Sequence, residues 1–482
     1  MNDLIIALDQ GNHIPLYEQI CIYFKKEIQE GRLTAGMRLP SSRALAGNLA
    51  VSRSTVDLAY DQLVSEGYME SVPCKGYYVC DIQGIYDTSE MRSNLPGQKE
   101  RTDLCSEEEK NKEKTGNRIC DFALNGIAPG NFPYNTWRKL SKRVLTGEQD
   151  ILGTLGHPCG ELSFREAIGD YLYRARGVHC KPSQILVGAG NDYLLMLLCT
   201  IIGKQNKVAM ENPTYSSAWH AFGHMGLERC TVTEDESGIS VESLKQSGAN
   251  VVYAMPSHQF PMGTVMPLKR RMELLKWARR PGHYIIEDDY DSEFRYKGKP
   301  IPSLQGFDTE GKVIYLGTFS KSIAPSIRVS YMVLPETLMD KYMNSGKPFS
   351  STVSRTDQKI LELFLKEGYY ERHLNRMRSL YKNRHELLLR WLREEMGEIC
   401  TCSGENAGIH LLLHMKNGMT EQQAVQKAAE SGVRVYGLSE FYLKGTLPEK
   451  NNIVLLGYAP MTEETFRKGL NCVGKAWKNS AT

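Results

Sequence analysis

An alternation of short apolar segments with helical patterns, beginning after Cys120, constrains the fold more than any other feature. Three of the apolar segments are ILVG from Ile185, KVAM from Lys207 and VVYAM from Val251. Each is separated from the next by residues whose apolar positions recur at helical spacing. A chain with this order of elements forms a mostly parallel β-sheet covered by helices on both faces. We therefore predict an α/β fold for most of the chain.

Composition limits the class of protein. The chain has 482 residues, 41% of them hydrophobic, and a formal net charge of +3. That length is sufficient for about three globular domains, and the charge does not by itself indicate nucleic-acid binding. The N-terminus lacks the features of a signal peptide, and the longest apolar run, Tyr193 to Ile202, is too short to span a bilayer. The twelve cysteines are scattered, so free thiols and no metal site are expected in a soluble cytoplasmic protein.

Residues 1–80 have a different pattern. Helices are predicted over residues 15–30, 42–49 and 54–66, each with apolar residues on one face. The segment YMESVPCKGYYV, from Tyr68 to Val79, predicts two strands joined by a turn. Three helices followed by a two-stranded wing form a winged helix-turn-helix.

These residues resemble the GntR family of bacterial regulators. The shared motifs are LPSSRALA from Leu39, VSRSTV from Val51, LVSEG from Leu63 and the wing turn at Lys75. The resemblance implies that amides and short side chains at the helix start hold DNA phosphates, while arginines reach base edges or the backbone. The implied DNA-binding residues are Arg38, Arg43, Ser52, Arg53, Ser54, Thr55, Lys75 and Gly76.

The charge of this segment sets a condition on DNA binding. Residues 1–80 contain seven Lys or Arg and nine Asp or Glu, a net of −2. Binding must therefore depend on local clustering of the basic side chains and on a dimer that doubles the contacts. A winged helix used only for protein contacts is the alternative. Residues 81–118 are nearly all polar or charged and predict a flexible linker.

One lysine after a predicted buried strand suits a particular ligand. In VIYLGTFSKSIAPSIR, from Val313 to Arg328, the apolar run ends at Gly317 and Lys321 follows among hydroxyl side chains. A lysine amine can form a Schiff base with a carbonyl, while hydroxyls and a guanidinium hold a phosphate. Pyridoxal 5'-phosphate (PLP) is the cofactor that combines both groups. An ordinary surface lysine is the alternative from this stretch alone.

Two other strand ends carry polar residues. After ILVG, the residues Gly190 and Asn191 open a helix whose amides can receive a phosphate. The strand YIIE ends in Asp288, Asp289 and Tyr290, and alternation along a strand places the first and third of these on one face. A carboxylate there can keep a pyridine nitrogen protonated, and a phenol can bond the ring oxygen. A solvated acidic turn is the alternative.

Together these segments resemble the fold-type I aminotransferases, and with residues 1–80 they resemble the MocR branch of the GntR family. The resemblance covers nearly the whole chain apart from the linker. The motifs that carry it are DFALNGIAPGNFPYNTWRKL from Asp121, GHPCGELSFREAIGDYLYRARGV from Gly156, ENPTY from Glu211, PSHQFPMG from Pro256, EDDYDSEFRY from Glu287 and GTFSKSIAPSIR from Gly317.

The resemblance implies a role for each matching residue. Lys321 is the catalytic lysine that forms the Schiff base with PLP, and Asp288 pairs with the pyridine nitrogen. Tyr290 contacts the ring oxygen, and Tyr215 stacks on the ring. His258, in the HQ motif, either lines the cofactor site or is a structural histidine. The residues implied around the phosphate are Gly190, Asn191, Thr318, Ser320 and Arg328.

The chain departs from the aminotransferase pattern at two positions. Phe260 stands where many aminotransferases have an asparagine that bonds the ring oxygen. In NIVLLGYAP, Leu455 stands where they present an arginine that binds the substrate carboxylate. A leucine cannot do this, so either another arginine serves, with Arg434 as a candidate, or the effector is not held through a carboxylate. The departure disfavours turnover of amino acids.

We therefore predict a cytoplasmic transcription regulator with three segments. Residues 1–80 bind DNA, residues 81–118 form the linker, and residues 119–482 form a PLP-binding effector domain. Within the last, a large subdomain is predicted over residues 150–340 and a small one from residues 119–150 and 341–482. The resemblance implies a homodimer on direct repeats or paired half-sites of DNA.

The mechanism is a hypothesis at this point. An effector amine replaces Lys321 in the Schiff base, the small subdomain shifts, and the DNA-binding domains change their relative placement. The effector is PLP itself, an amino acid or a small amine. An active aminotransferase with a DNA-binding appendage is one alternative. A DNA-binding module with an inactive scaffold is another.

Overall fold

The chain forms two compact units in the computed structural model, residues 1–114 and 115–482. The structure describes residues 6, 8–9, 14–73, 75–81, 119–147, 152–296, 301–345, 348–443, 446 and 451–479. The predicted linker over residues 81–118 therefore lies, apart from Asp81, outside the described residues. No helix in the described ranges has the length and apolarity needed to cross a bilayer.

The N-terminal unit is a winged helix-turn-helix, as predicted. Its helices are α1 (Leu16–Gln29), α2 (Ser42–Leu49) and α3 (Arg53–Ser65), and its wing is an antiparallel pair of β1 (Met69–Val72) and β2 (Gly76–Val79). Ser41 and Ser52 are the N-caps of α2 and α3, since each hydroxyl accepts a hydrogen bond from a first-turn amide at 3.2 Å. Buried Phe24, Tyr60 and Leu63 join the helices in one core.

The C-terminal unit contains the predicted sheet. The seven strands described in it have the order β4-β12-β11-β10-β9-β5-β6, and all run parallel except β12. Their bounds are β4 (Ile185–Gly188), β5 (Lys207–Met210), β6 (Glu228–Thr231), β9 (Val251–Ala254), β10 (Tyr284–Asp289), β11 (Val313–Thr318) and β12 (Ser330–Val333).

Short and C-terminal strands complete the unit. Cys120 pairs with Val433, which brings the first residues after the linker beside the C-terminal part of the chain. The four strands β13-β14-β17-β16 form a second, antiparallel sheet. The bounds are β3 (Cys120–Asp121), β7 (Glu234–Asp235), β8 (Gly238–Ile239), β13 (Cys400–Ser403), β14 (His410–Met415), β15 (Val433–Arg434), β16 (Tyr436–Gly437) and β17 (Ile453–Gly457).

Helices cover both faces of the central sheet. On β9, Val251 belongs to a core with Leu194 of one helix, whereas Val252 belongs to a different core with Trp277 of another. The helices are α4 (Tyr134–Gly147), α5 (Leu162–Arg176), α6 (Asn191–Ile202), α7 (Ser216–His224), α8 (Val241–Gln246), α9 (Leu268–Ala278), α10 (Glu336–Asn344), α11 (Arg355–Lys366), α12 (Tyr369–Glu395), α13 (Glu421–Glu430) and α14 (Glu463–Lys478).

The hydrophobic cores of this unit do not follow the subdomain bounds predicted from the sequence. Leu140 of α4 and Phe364 of α11 lie in one core with Val187 of the central sheet. Both helices had been assigned to the small subdomain, but their apolar faces are buried against the large sheet. Phe122, in contrast, packs with the second sheet and α12.

A buried ion pair supports the end of β10. Asp289 Oδ2 accepts a hydrogen bond from Arg176 Nε at 2.6 Å and another from the Tyr315 hydroxyl at 2.6 Å. Although burial opposes its ionisation, the Arg176 guanidinium and the Tyr315 hydroxyl hold the pKa of Asp289 below its usual value. The pair fixes one face of the strand whose other face carries Asp288.

Breaking this pair should destabilise the protein strongly. Arg176→Met leaves the Asp289 carboxylate buried without a cation, and we expect the free energy of unfolding to fall by about 3–5 kcal/mol. Chemical denaturation measures the change. Arg174→Met, two residues earlier on α5, is the matched control: its side chain is exposed and 3.8 Å from Glu371, so a loss below about 0.5 kcal/mol is expected. Equal losses in the two variants would contradict the assignment.

Candidate functional site

A cavity of about 470 Å³ lies at the carboxyl ends of β10 and β11. It collects residues from separate segments of the C-terminal unit, which is the position expected for a ligand in an α/β sheet. Eight residues predicted to bind the cofactor line it: Asn191, Tyr215, Asp288, Tyr290, Thr318, Ser320, Lys321 and Arg328.

Lys321 presents its amine inside this cavity. Its Nζ donates to the Asn125 side-chain oxygen and lies 3.5 Å from the backbone oxygen of Leu124. It also lies 5.8 Å from the centre of the Tyr290 ring. Burial lowers the pKa of Lys321, with Asp291 and Asp288 acting in the opposite direction. A lowered pKa increases the neutral, nucleophilic fraction of the amine.

Asp288 is buried at the floor of the cavity. The Tyr253 hydroxyl donates to one carboxylate oxygen, and the side-chain nitrogen Nδ2 of Asn191 lies 3.5 Å from the other. Burial raises the pKa of Asp288 from 3.8 to about 7. The carboxyl thus has no cationic hydrogen-bond partner among the described residues, and a protonated ring nitrogen would supply one.

Tyr290 is held from behind by a buried pair. Its hydroxyl and Asp291 Oδ2 each lie 2.9 Å from His258 Nδ1. A carboxylate only accepts hydrogen bonds, so the proton of His258 is assigned to Nδ1 and donated toward Asp291. The Tyr290 hydroxyl also hydrogen-bonds to the Asp291 carboxylate, so Tyr290, His258 and Asp291 form one buried group.

His258 therefore contacts Tyr290, a residue that lines the cavity. It was predicted to line the cofactor site or to be structural, and it is absent from the described lining residues. Its side chain is fully buried beside Asp291, and its ring lies 5.2 Å from that of His410. The geometry gives His258 contact with Tyr290 and Asp291.

A guanidinium, a glycine and a hydroxyl lie at the residues predicted to surround a phosphate. A Cβ added to Gly190 would lie 2.4 Å from an Arg328 nitrogen, and the φ of 92° at this position favours glycine. Arg328 has φ of 52° and lies 3.3 Å from Asp192. Ser320 Oγ is buried and has no hydrogen-bond partner within the described part of the chain, whereas Thr318 Oγ1 already accepts from the Ser320 amide. Ser320 is consequently the better phosphate donor of the two.

The departures from the aminotransferase pattern occupy defined positions. Leu455 is fully buried in β17, in an apolar cluster against which Phe260 and Phe441 pack. Arg434 was a candidate to replace the missing carboxylate-binding arginine, but it does not line the described cavity. Its guanidinium lies 4.7 Å from the Tyr436 ring centre and 3.9 Å from Asp121. The prediction for Arg434 is thus not supported by the geometry.

Several site residues were not singled out from the sequence. Three of them make hydrogen bonds to predicted site residues: Asn125 to Lys321, Tyr253 to Asp288 and Asp291 to His258. A fourth, Phe441, lines the cavity. Asn125 and Asp291 lie inside motifs that carry the family resemblance, which was a usable signal. Tyr253 and Phe441 reach the site from distant segments, and no local pattern indicated them.

The predicted DNA-binding residues of the N-terminal unit lie on its surface. Arg53 is exposed at the first position of α3 and lies 3.4 Å from Asp57. A Cβ on Gly76, whose φ is 111°, would lie 3.6 Å from Arg38 Nε, so the guanidinium runs along the wing. Thr55 and Gly76 are half-buried, and the exposed members of the set are Arg38, Arg43, Ser52, Arg53, Ser54 and Lys75.

The cavity fits PLP. Ser320 Oγ is a buried hydroxyl without a partner, Gly190 and Arg328 form a cradle that a Cβ would fill, and Asp288 is a buried carboxyl without a cationic hydrogen-bond partner among the described residues. These three match a phosphate and a pyridine nitrogen. Lys321 would face the aldehyde.

Two family models match the chain. The model for aminotransferase class I and II matches residues 126–471, and the model for bacterial regulatory proteins of the gntR family matches residues 16–79. Enzymes with the aminotransferase class I and II fold depend on PLP.

Similar proteins extend over nearly the full length. The uncharacterized HTH-type transcriptional regulator YdeL of Bacillus subtilis is 39% identical and covers 99% of this chain and 100% of its own. The probable rhizopine catabolism regulatory protein MocR of Rhizobium meliloti is 31% identical, with 98% and 96% covered. The crystal structure of the multiple substrate aminotransferase from Thermococcus profundus matches with a TM-score of 0.66 at 26% identity, covering 76% of this chain and 92% of that one.

The fold and the matches define a transcription regulator built from a winged helix-turn-helix and an aminotransferase-like unit. The chain belongs to the MocR-type branch of the GntR family.

The raised pKa of Asp288 gives a test in the PLP-free protein. Because the folded state binds this proton more tightly than the unfolded state, Asp288 costs stability as the pH rises from about 4 to 7. Asp288→Asn removes that cost. The difference in unfolding free energy between the variant and wild type should therefore shift in favour of the variant by about 2–3 kcal/mol when the pH is raised from 5 to 8. Denaturation curves at both pH values measure it, and a difference that does not change with pH would contradict the account.

Proposed function

We propose that this regulator senses a small amine through PLP held in the cavity, and that DNA binding by the N-terminal unit responds to it. One observation carries the proposal: the cavity brings seven other predicted cofactor residues together with Lys321. They come from segments as distant in sequence as Asn191 and Arg328. A chance collection of surface residues would not combine a half-buried lysine, a buried carboxylate and an arginine beside a glycine.

Each end of the cofactor has residues that suit it. Arg328, Ser320 and the amides near Gly190 and Asn191 would hold the phosphate by charge-assisted hydrogen bonds. Asp288 would pair with the ring nitrogen, and Tyr290 would contact the ring oxygen. Tyr215 lies in the same lining set and would stack on the ring.

Lys321 would be the switching residue. PLP supplies an aldehyde that bonds reversibly to primary amines. An effector amine would compete with Lys321 for that carbon: one C–N bond forms as the other breaks, and the effector nitrogen loses two protons as Nζ gains two. Lys321 released in this way would have hydrogen-bond acceptors nearby, since its Nζ reaches the Asn125 side-chain oxygen and the Leu124 carbonyl.

DNA recognition would rest on the exposed basic residues of the N-terminal unit. Arg43 and Arg53 would reach base edges or phosphates from α2 and α3, while Arg38 and Lys75 would follow the wing. The net charge of −2 over residues 1–80 makes a single copy a weak DNA binder. We therefore infer a homodimer on two half-sites.

The test is a DNA-shift assay on the region upstream of the protein's own gene, with PLP and a panel of amines. An active amine should change the apparent DNA affinity of wild type by roughly tenfold, a typical coupling energy. Lys321→Ala should bind the same DNA without responding to the amine. Lys312→Ala, before the start of the same strand β11, is the matched control and should respond as wild type does.

Two outcomes would reverse the proposal. An amine response that survives in Lys321→Ala would exclude the lysine as the switch, and sustained transamination of amino acids by wild type would favour an enzyme. Loss of DNA binding is a separate failure, and Arg43→Ala with Arg53→Ala should produce it in the presence and absence of amine. Arg32→Ala, which removes an exposed arginine paired with Glu27, should not.

A further inference from the structure

One side of the cavity is built from apolar side chains in two layers. Phe260 and Phe441 line the cavity, with ring centres 5.0 Å apart at an angle of 89°. Behind them lies a buried cluster against which both rings pack; its members are Leu124, Leu412, Leu438 and Leu455. These six residues are called the apolar wall.

The apolar wall is fixed in position beside Lys321. The backbone oxygen of Phe441 accepts a hydrogen bond from the Thr214 amide at 3.1 Å, and the Leu443 amide donates to Asn212 at 3.1 Å. Leu124 belongs to the wall, and its carbonyl lies 3.5 Å from Lys321 Nζ. A molecule whose nitrogen takes the place of Nζ therefore meets the wall with its adjoining groups.

The cations that line the described cavity are both committed elsewhere. Lys321 supplies the amine of the switch, and Arg328 lies against Gly190, 3.3 Å from Asp192. The Asn125 side-chain oxygen is taken by Lys321. A carboxylate on the carbon beside the effector nitrogen would face the apolar wall. Among the described residues of one chain, no further cation lines the cavity to pair with it, and an unpaired buried charge is strongly unfavourable.

We propose that the effector is a primary amine with an apolar body and no carboxylate beside the nitrogen. The proposal rests on the proposed function, in which the cavity holds PLP and an amine. It narrows the effector class: aromatic and aliphatic amines bind, and the corresponding amino acids bind poorly. Amines with an apolar body bury apolar surface against the wall, whereas the corresponding amino acids also bring a carboxylate that stays unpaired there.

A matched pair of ligands tests this in the full-length, PLP-loaded protein. 2-Phenylethylamine and L-phenylalanine share the amine and the phenyl ring and differ by the carboxylate. The change in visible absorption of the bound PLP reports binding of each, normalised to the reaction of the same compound with free PLP. We expect the amine to bind at least tenfold more tightly than the amino acid. Equal binding, or preference for the amino acid, overturns the proposal.

Substitution of Leu455 gives a second readout. Leu455→Arg places a guanidinium in the apolar wall and should reduce or reverse the preference for the amine. Leu455→Met, similar in volume and apolar, should keep the preference of wild type. Retained PLP absorption is the control for the fold of Leu455→Arg, and the comparison of the two ligands in wild type stands without this variant. A preference unchanged in a folded Leu455→Arg protein overturns the role of the wall.

The two proposals fail in different ways. A protein that acquires no PLP absorption band contradicts the proposed function, and the effector class falls with it. A protein that binds PLP but responds to neither ligand contradicts the effector class as stated. A protein that responds to L-phenylalanine more strongly retains the proposed function and loses the inference about the apolar wall.

Discussion

The end of β10 is the part of the structure on which the rest of the site depends. Three consecutive acidic residues are buried there, and each has different partners. Glu287 accepts from the Leu304 and Gln305 amides at 2.7 and 2.8 Å, Asp289 pairs with Arg176, and Asp288 faces the cavity. The ion pair of Asp289 anchors the strand so that the neighbouring carboxyl can remain buried without a cation. The chemistry of the cavity follows from that difference between adjacent residues.

A regulator can use such a site to sense an amine without catalytic turnover. Aminotransferases bind PLP in order to process amino acids, whereas this chain joins the same fold to a winged helix-turn-helix. Its cavity combines a lysine, a phosphate cradle and an apolar wall in which Leu455 is fully buried. A reversible bond to an amine is sufficient for sensing, because only the difference in affinity between two states is needed to shift an equilibrium.

Local patterns predicted much of this structure. Apolar periodicity gave the three helices and the wing, although α3 begins at Arg53, one residue before the predicted start, because Ser52 is its cap. Strand alternation placed Asp288 and Asp289 on opposite faces, as observed. What local patterns could not give are contacts between distant segments. Tyr253 meets Asp288 across neighbouring strands, and Leu140 packs on the large sheet in spite of its place in the chain.

The central claim is that Lys321 is the residue that bonds to PLP. The most direct measurement is borohydride reduction of the PLP-loaded protein, followed by proteolysis and mass analysis of the peptides. The account predicts one pyridoxyl-modified peptide, the one that contains Lys321, and its loss after preincubation with an effector amine. Modification spread over exposed lysines, or none at Lys321, would contradict the account.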